Sequence, residues 1–259
     1  MSARVSVGVS LKMYFGHRQA RDWFARVAGI AAGHPAVASG AVEVFVIPTF
    51  LQVLPALEAF AGTPVLVGAQ DLATEDGGAF TGEVSGAELA EVGVRVAEVG
   101  HAERRRLFGE TDEIVAAKTA AALRNGLVPV LCLGEAERLE PRAAAAEVIG
   151  QLYSALEGSP SGRLLVAYEP VWAIGAPEPA PAEHIRAVGA ALQEEVAVLA
   201  GREGSGVIYG GSAKPGLLGT LGDSVDGLFL GRFAHDPAAF AAVLDEAAEL
   251  AARREVVTR

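Results

Sequence analysis

The chain has 259 residues, and 32 Asp and Glu against 21 Lys and Arg leave a formal net charge of −11. That balance argues against non-specific binding to nucleic acid or to an anionic membrane surface, although an anionic substrate needs only local positive potential. A hydrophobic fraction of 51% and moderate charge predict a sizeable core rather than disorder.

Polar–apolar alternation begins within five residues of Met1. There is no basic segment followed by an apolar run and a small-residue cleavage site. No apolar stretch reaches the ~18 residues of a membrane span. The expectation is a cytoplasmic protein with no membrane partner. Runs rich in Val, Ile and Leu then recur along the chain, each followed by a helical stretch. They read Val5–Lys12, Val42–Thr49, Val65–Asp71, Val96–His101, Val128–Gly134, Leu164–Pro170, Gly206–Ser212 and Gly227–Arg232. Most are nearly continuous apolar stretches, as parallel strands covered on both faces require.

Helical composition fills the gaps, for example Asp112–Asn125, Glu135–Leu156, Ala182–Leu199 and Pro237–Ala252. Asp112 reads as a start signal and Gly126 as a stop. Pro181 and Pro237 read as first-turn prolines, the latter behind an Asp236 cap. The lone cysteine, Cys132, lies in the apolar run Val-Pro-Val-Leu-Cys-Leu. It makes no intrachain disulfide and reads as a core thiol.

Eight alternations allow a closed (β/α)8 barrel or a doubly wound open sheet. The count favours the barrel, and no G-x-G-x-x-G follows Lys12. No linker or composition break appears, so residues 1–259 read as one domain.

In such a barrel the reacting groups sit at the C-terminal ends of the strands. Here those ends carry Ser10-Leu11-Lys12, Gln70-Asp71, Gly100-His101, Glu169-Pro170, Gly210-Gly211-Ser212 and Gly231-Arg232. A carboxylate, an imidazole, an ammonium and two glycine-rich turns thus share one rim. That set suits proton transfer next to a carbonyl: the carboxylate removes the proton, the imidazole polarises the oxygen, and the ammonium stabilises the enediolate. Glycine-rich turns expose backbone N–H groups suited to phosphate. Taken singly, each residue also has a plainer role as a rim charge or a tight turn. His17, His34, His184 and His235 lack a second metal-type ligand at useful spacing and read as surface residues.

Five segments resemble the triosephosphate isomerase family, in the family's order. They are Gly78-Ala-Phe-Thr-Gly-Glu83, Gly100-His-Ala-Glu-Arg-Arg105, Phe108-Gly-Glu-Thr-Asp-Glu113, Ala167-Tyr-Glu-Pro-Val-Trp-Ala-Ile-Gly175 and Tyr209-Gly-Gly-Ser212. The resemblance covers the chain from Ser10 to about Phe240. It implies the role pattern known for triosephosphate isomerase, with Glu169 as base, neutral His101 as electrophile and Lys12 as electrostatic clamp. It also implies that Glu103 pairs with Lys12 and opens the helix that keeps His101 neutral. Gly175, Gly211, Ser212 and Gly231 would offer backbone N–H groups to a phosphorylated small sugar. Pro170–Pro177 would be a lid, Gly78–Glu83 a loop that reaches into a second subunit of a homodimer, and no metal or organic cofactor is expected.

Departures from the family pattern bear on the substrate. Ser10 stands where the family has Asn, which shortens a side chain and removes an amide. The far end of the lid reads Pro177-Glu178-Pro179-Ala180, Ala102 follows His101, and the last glycine turn is Gly231-Arg232. Ser10, Arg232 and Phe45-Val-Ile-Pro48 resemble the branch that isomerises erythrulose phosphates in tetritol catabolism. Arg232 either adds charge to the phosphate site or points outward. The favoured reaction is interconversion of L-erythrulose 1-phosphate and D-erythrulose 4-phosphate, with triosephosphate isomerase proper as the alternative. Two other classes stay open: a Schiff-base aldolase using Lys12 or Lys214, and a non-catalytic phosphate-binding barrel.

Overall fold

The structure is a computed structural model and describes residues 5–257. In chain order it runs β1 (Val5–Ser10), α1 (His17–Gly33), α2 (Pro35–Ala38), β2 (Val42–Ile47), α3 (Phe50–Ala59), β3 (Leu66–Ala69), α4 (Gly86–Val92), β4 (Val96–Val99) and α5 (Ala102–Phe108). It continues with α6 (Asp112–Arg124), β5 (Val128–Leu133), α7 (Pro141–Leu156), β6 (Leu165–Tyr168), α8 (Ala182–Val198), β7 (Gly206–Tyr209), α9 (Leu217–Leu221), β8 (Gly227–Leu230) and α10 (Pro237–Val257). Each strand pairs with its successor, and β8 pairs in parallel with β1, closing an eight-stranded barrel.

Side chains alternate across the strands and so build two cores. Phe45, Ile47, Val96, Val130, Cys132, Leu165, Ala167, Ile208 and Phe229 pack inside the barrel. Val44, Val46, Ala97, Val99, Val166 and Val207 point outward and pack with helix residues such as Phe24, Val148 and Leu192. Both faces are dry, which is why the strands read as apolar runs. Each fully buried Val, Leu or Ile contributes roughly 1.5–3 kcal/mol. Gly8 is needed where it stands: a Cβ there would lie 2.0 Å from the Phe45 ring, which occupies the barrel interior. Two tyrosines, Tyr168 and Tyr209, stack edge to face at 6.1 Å in the outer shell.

The strands end one to three residues earlier than the apolar runs suggest. Lys12, His101, Glu169 and Ser212 therefore sit on loops just beyond the strands, and Arg232 opens a short 3-10 helix after β8. The helix expected from Glu135 begins at Pro141, whose missing N–H suits the first turn. The cap of α6 is Thr111, whose hydroxyl accepts from the Ile114 amide, with Asp112 as the first helical residue. Pro181 caps α8 rather than entering its first turn.

The histidines also differ from expectation. His17 is exposed and His34 and His235 are half-buried, but His184 is buried against the Glu135 carboxylate at 3.0 Å. Periodicity places His184 on the inner face of α8 beside Ile185 and Val188, a signal that its polarity hid. Among the described residues no helix is long and apolar enough to cross a membrane.

Candidate active site

Ten of the residues singled out from the sequence line one cleft of about 860 Å³ at the C-terminal mouth of the barrel, and Gln70 and Asp71 do not. Ser10 and Lys12 come from β1 and its loop, His101 and Glu103 from the turn after β4, and Glu169 and Gly175 from the segment after β6. Gly211 and Ser212 follow β7; Gly231 and Arg232 follow β8.

Lys12 holds the single left-handed backbone among the described non-glycine residues, with φ at 45°. Such a conformation is strained by roughly 1–3 kcal/mol and persists where its surroundings fix it. Here the Gln70 amide donates to the Lys12 carbonyl at 3.0 Å and to that of Ile47 at 3.3 Å. The Lys12 ammonium donates to Glu103 Oε1 at 2.9 Å. Burial pulls its pKa down, but the Glu103 bond and charge and the nearby Glu169 and Glu98 outweigh that, so the ammonium is held protonated.

His101 caps α5. The backbone N–H of Glu103 donates to its Nδ1 at 3.1 Å, so Nδ1 is an acceptor and the ring proton belongs on Nε2. Burial, then the Lys12 charge, lowers the imidazole to about 4. The ring is thus a neutral Nε2–H donor across the physiological range. Its Nε2 lies 3.5 Å from Glu169 Oε2, and that oxygen is buried without a hydrogen-bond partner.

Glu169 is only 4% exposed. Burial first, then the charge of Glu98, pushes its carboxyl up to about 8. It is therefore a far stronger base than a solvated glutamate. Gly210 makes room for it: a Cβ there would lie 2.4 Å from Glu169 Oε1.

The segment after Glu169 is tied down at several points. Trp172 Nε1 donates to Glu135 Oε1 at 2.9 Å, which also accepts from the Tyr168 hydroxyl at 3.2 Å. The Ser212 hydroxyl donates to the Ala176 carbonyl at 2.7 Å, and the Ala180 amide donates to the Tyr209 hydroxyl at 3.3 Å. At the proline-flanked end, Lys214 and Glu178 pair at 2.7 Å on the surface. Arg232 is exposed, its guanidinium 5.7 Å above the Tyr14 ring at the cleft rim.

Three further buried carboxylates surround the site. Glu98, inside β4, is 3% exposed and lines the cleft; its Oε2 accepts from the Ser10 hydroxyl at 2.8 Å. A carboxylate within an apolar strand, two residues after inward-facing Val96, was the available signal. Glu135, at the head of a stretch of helical composition, lies before α7 and is a buried anchor. Asp71, noted at a strand end, belongs to a buried cluster with Lys118 at 2.5 Å and Arg104 at 2.7 Å; Lys118 and Arg104 also hold Glu110. That cluster fixes α5, and with it His101, from behind.

The family model described as triosephosphate isomerase matches residues 5–247. L-erythrulose-1-phosphate isomerase of Pectobacterium atrosepticum is 53% identical, covering 97% of this chain and 99% of that protein. Triosephosphate isomerase of Symbiobacterium thermophilum is 39% identical, covering 95% and 98%. The crystal structure of triosephosphate isomerase from Bartonella henselae superposes with a TM-score of 0.78 at 27% identity, covering 94% of this chain and 98% of that one.

Proposed function

The chain belongs to the triosephosphate isomerase family and is a sugar-phosphate isomerase, and from that premise we propose that its substrate pair is L-erythrulose 1-phosphate and D-erythrulose 4-phosphate. The two differ only in which of the two inner carbons carries the carbonyl. Counting from the phosphate, proton transfer between the second and third carbons interconverts them, as it does in a triose phosphate. The tetrulose carries one extra hydroxymethyl group on the third carbon.

The observation that carries the mechanism is the Glu169–His101 pair. The Glu169 carboxylate removes the proton from the carbon beside the carbonyl. The electron pair moves into the C–C bond, and the carbonyl oxygen becomes the enediolate oxygen. His101 Nε2–H, the only ring proton of that tautomer, donates to this oxygen and passes protons between the two oxygens. The Lys12 ammonium offsets the developing negative charge. One such donor is worth roughly 3–4 kcal/mol in the transition state. Glu169 then returns its proton to the neighbouring carbon, so no redox partner is needed. Gly175, Gly211, Ser212 and Gly231 line the cleft, and in this reading their backbone N–H groups hold the phosphate while the segment 170–177 closes over it to keep water from the enediolate.

Two observations support the tetrulose over the triose. Ser10 replaces a longer side chain at the floor of the cleft, and the identity to the Pectobacterium isomerase, 53%, exceeds the 39% to the Symbiobacterium triosephosphate isomerase. A Schiff-base aldolase finds no support, because its amine must be neutral while Lys12 is held protonated by Glu103 and Lys214 is exposed in an ion pair. We also place the loop Gly78–Glu83 in a homodimer interface. Phe80 on that loop is exposed in the single chain, as are Met13, Leu51 and Leu54.

The test is turnover of L-erythrulose 1-phosphate in D2O, followed by NMR. The expected result is D-erythrulose 4-phosphate with solvent deuterium at its new C–H position to the extent that the Glu169 proton exchanges before its return. Turnover undiminished in Glu169→Gln would refute the enediol route through this base, and turnover of dihydroxyacetone phosphate alone would refute the tetrulose assignment.

A further inference from the structure

We propose that Glu98, positioned by Ser10, is the specificity-determining residue of the site: its free oxygen receives the hydroxyl of the extra hydroxymethyl group on a four-carbon substrate. This inference rests on the tetrulose reading above and assigns the group that enforces it.

Placement comes first. Glu98 lies on the inner face of β4, two residues before Gly100 and three before His101. Ser10 is the last residue of β1, two before Lys12. The two side chains meet across the barrel interior, one layer beneath the imidazole and the ammonium, with the Ser10 hydroxyl donating to Glu98 Oε2 at 2.8 Å. Both line the same cleft as Glu169 and His101. The second carboxylate oxygen, Oε1, takes no hydrogen bond from the described residues.

That arrangement is hard to account for by packing. The middle of the barrel interior is apolar, from Phe45 and Ile47 to Ile208 and Phe229, and the inward carboxylate at its other end, Glu43, is paired with Arg163 and accepts from the Ser6 hydroxyl. A buried carboxylate is unfavourable unless its oxygens find donors, and Glu98 has one donor for two oxygens. Its negative charge also opposes ionisation of Glu169. That charge strengthens Glu169 as a base, but it does not account for the acceptor Oε1 left without a donor in the cleft, which calls for a use in binding.

The substrate supplies that use. The phosphate is held on the side of Gly211, Ser212 and Gly231, and the carbon that yields its proton faces Glu169. A substituent on that carbon, pointing away from the phosphate, runs toward the barrel floor where Ser10 and Glu98 stand. A hydroxyl there donates to Glu98 Oε1 at an ordinary O–H···O distance of about 2.7 Å. The short Ser10 side chain leaves the space and orients the carboxylate. A triose phosphate has only hydrogen at this position and would leave Oε1 desolvated and unpaired. Sites built to hydrogen-bond a substrate hydroxyl reject the analogue lacking it far more strongly than apolar pockets do.

The experiment compares kcat/KM for L-erythrulose 1-phosphate and for dihydroxyacetone phosphate in the wild type, Glu98→Leu, Glu98→Gln and Ser10→Ala. The expected result is a tetrulose-to-triose ratio about 100-fold lower in Glu98→Leu, with smaller falls in the other two variants. Binding of two unreactive probes, a tetritol phosphate and glycerol 3-phosphate, should show the same loss of discrimination by calorimetry, a readout independent of chemistry. If Glu98→Leu fails to fold, the near-isosteric Glu98→Gln carries the test, since Gln can still accept a hydrogen bond but not as a carboxylate. A ratio unchanged within about threefold, or an equal loss of both activities, would overturn the assignment to Glu98 while leaving the tetrulose reading intact. A wild type inactive on the tetrulose would overturn both.

Discussion

Replacing Glu98 by Gln removes an ionisable group from the barrel interior with little change in shape, and its effect on stability should depend on pH in a defined way. Burial raises the Glu98 carboxyl from 4.5 to about 7 in the folded chain. Its contribution to stability is therefore fully present below pH 4.5 and is lost as pH rises through about 7. Between those values the unfolded chain gives up the proton and the folded chain keeps it. Wild-type stability then falls at about 1.4 kcal/mol per pH unit from this group, a total of about 3 kcal/mol. Loss of the Glu98 charge also eases ionisation of Glu169, which adds in the same direction. Urea unfolding at fixed protein concentration, from pH 4.5 to 8.5, measures this. The Gln variant should gain about 3 kcal/mol on the wild type across that range. Parallel profiles would mean that Glu98 ionises like a solvated carboxylate, and the description of a desolvated floor would be wrong.

Other perturbations test other parts of the site. Glu169→Gln should lower kcat by about 10³ or more, read by steady-state turnover; a loss below tenfold would remove Glu169 from the role of base. Gly210→Ala places a methyl 2.4 Å from Glu169 Oε1. By displacing the base about 1 Å it should lower kcat roughly 100-fold, and a near-normal kcat would show that Glu169 has room to spare. Phe80→Asp, on the exposed loop of residues 78–83, should shift the protein toward monomer in sedimentation equilibrium. An unchanged distribution would remove that loop from the proposed interface.

The barrel was legible because parallel strands covered on both faces leave continuous apolar runs, and eight of them could be counted. Their ends were less legible. Apolarity continues a residue or two past the last strand residue, as at Leu11, which is buried beyond β1. Glu169, His101 and Lys12 could be singled out because polar residues at strand ends stand apart from an apolar background. Glu98 carried the same contrast inside a strand, where position gave no reason to look. Its partner Ser10 was recognised as a change of size, but the hydrogen bond linking them joins residues 88 apart in sequence. Glu135 and His184 were hidden for a related reason. Both are polar, and their burial follows from mutual pairing, with Trp172 and Tyr168, that only the closed barrel brings about.

The measurement that bears most directly on the account is kcat/KM of the purified protein for L-erythrulose 1-phosphate and for dihydroxyacetone phosphate under identical conditions. The account predicts a preference of about 100-fold or more for the tetrulose phosphate, because the site presents a carboxylate oxygen that only the longer substrate can pair. An equal or faster reaction with the triose phosphate would contradict it and would make the Ser10–Glu98 floor incidental to substrate choice.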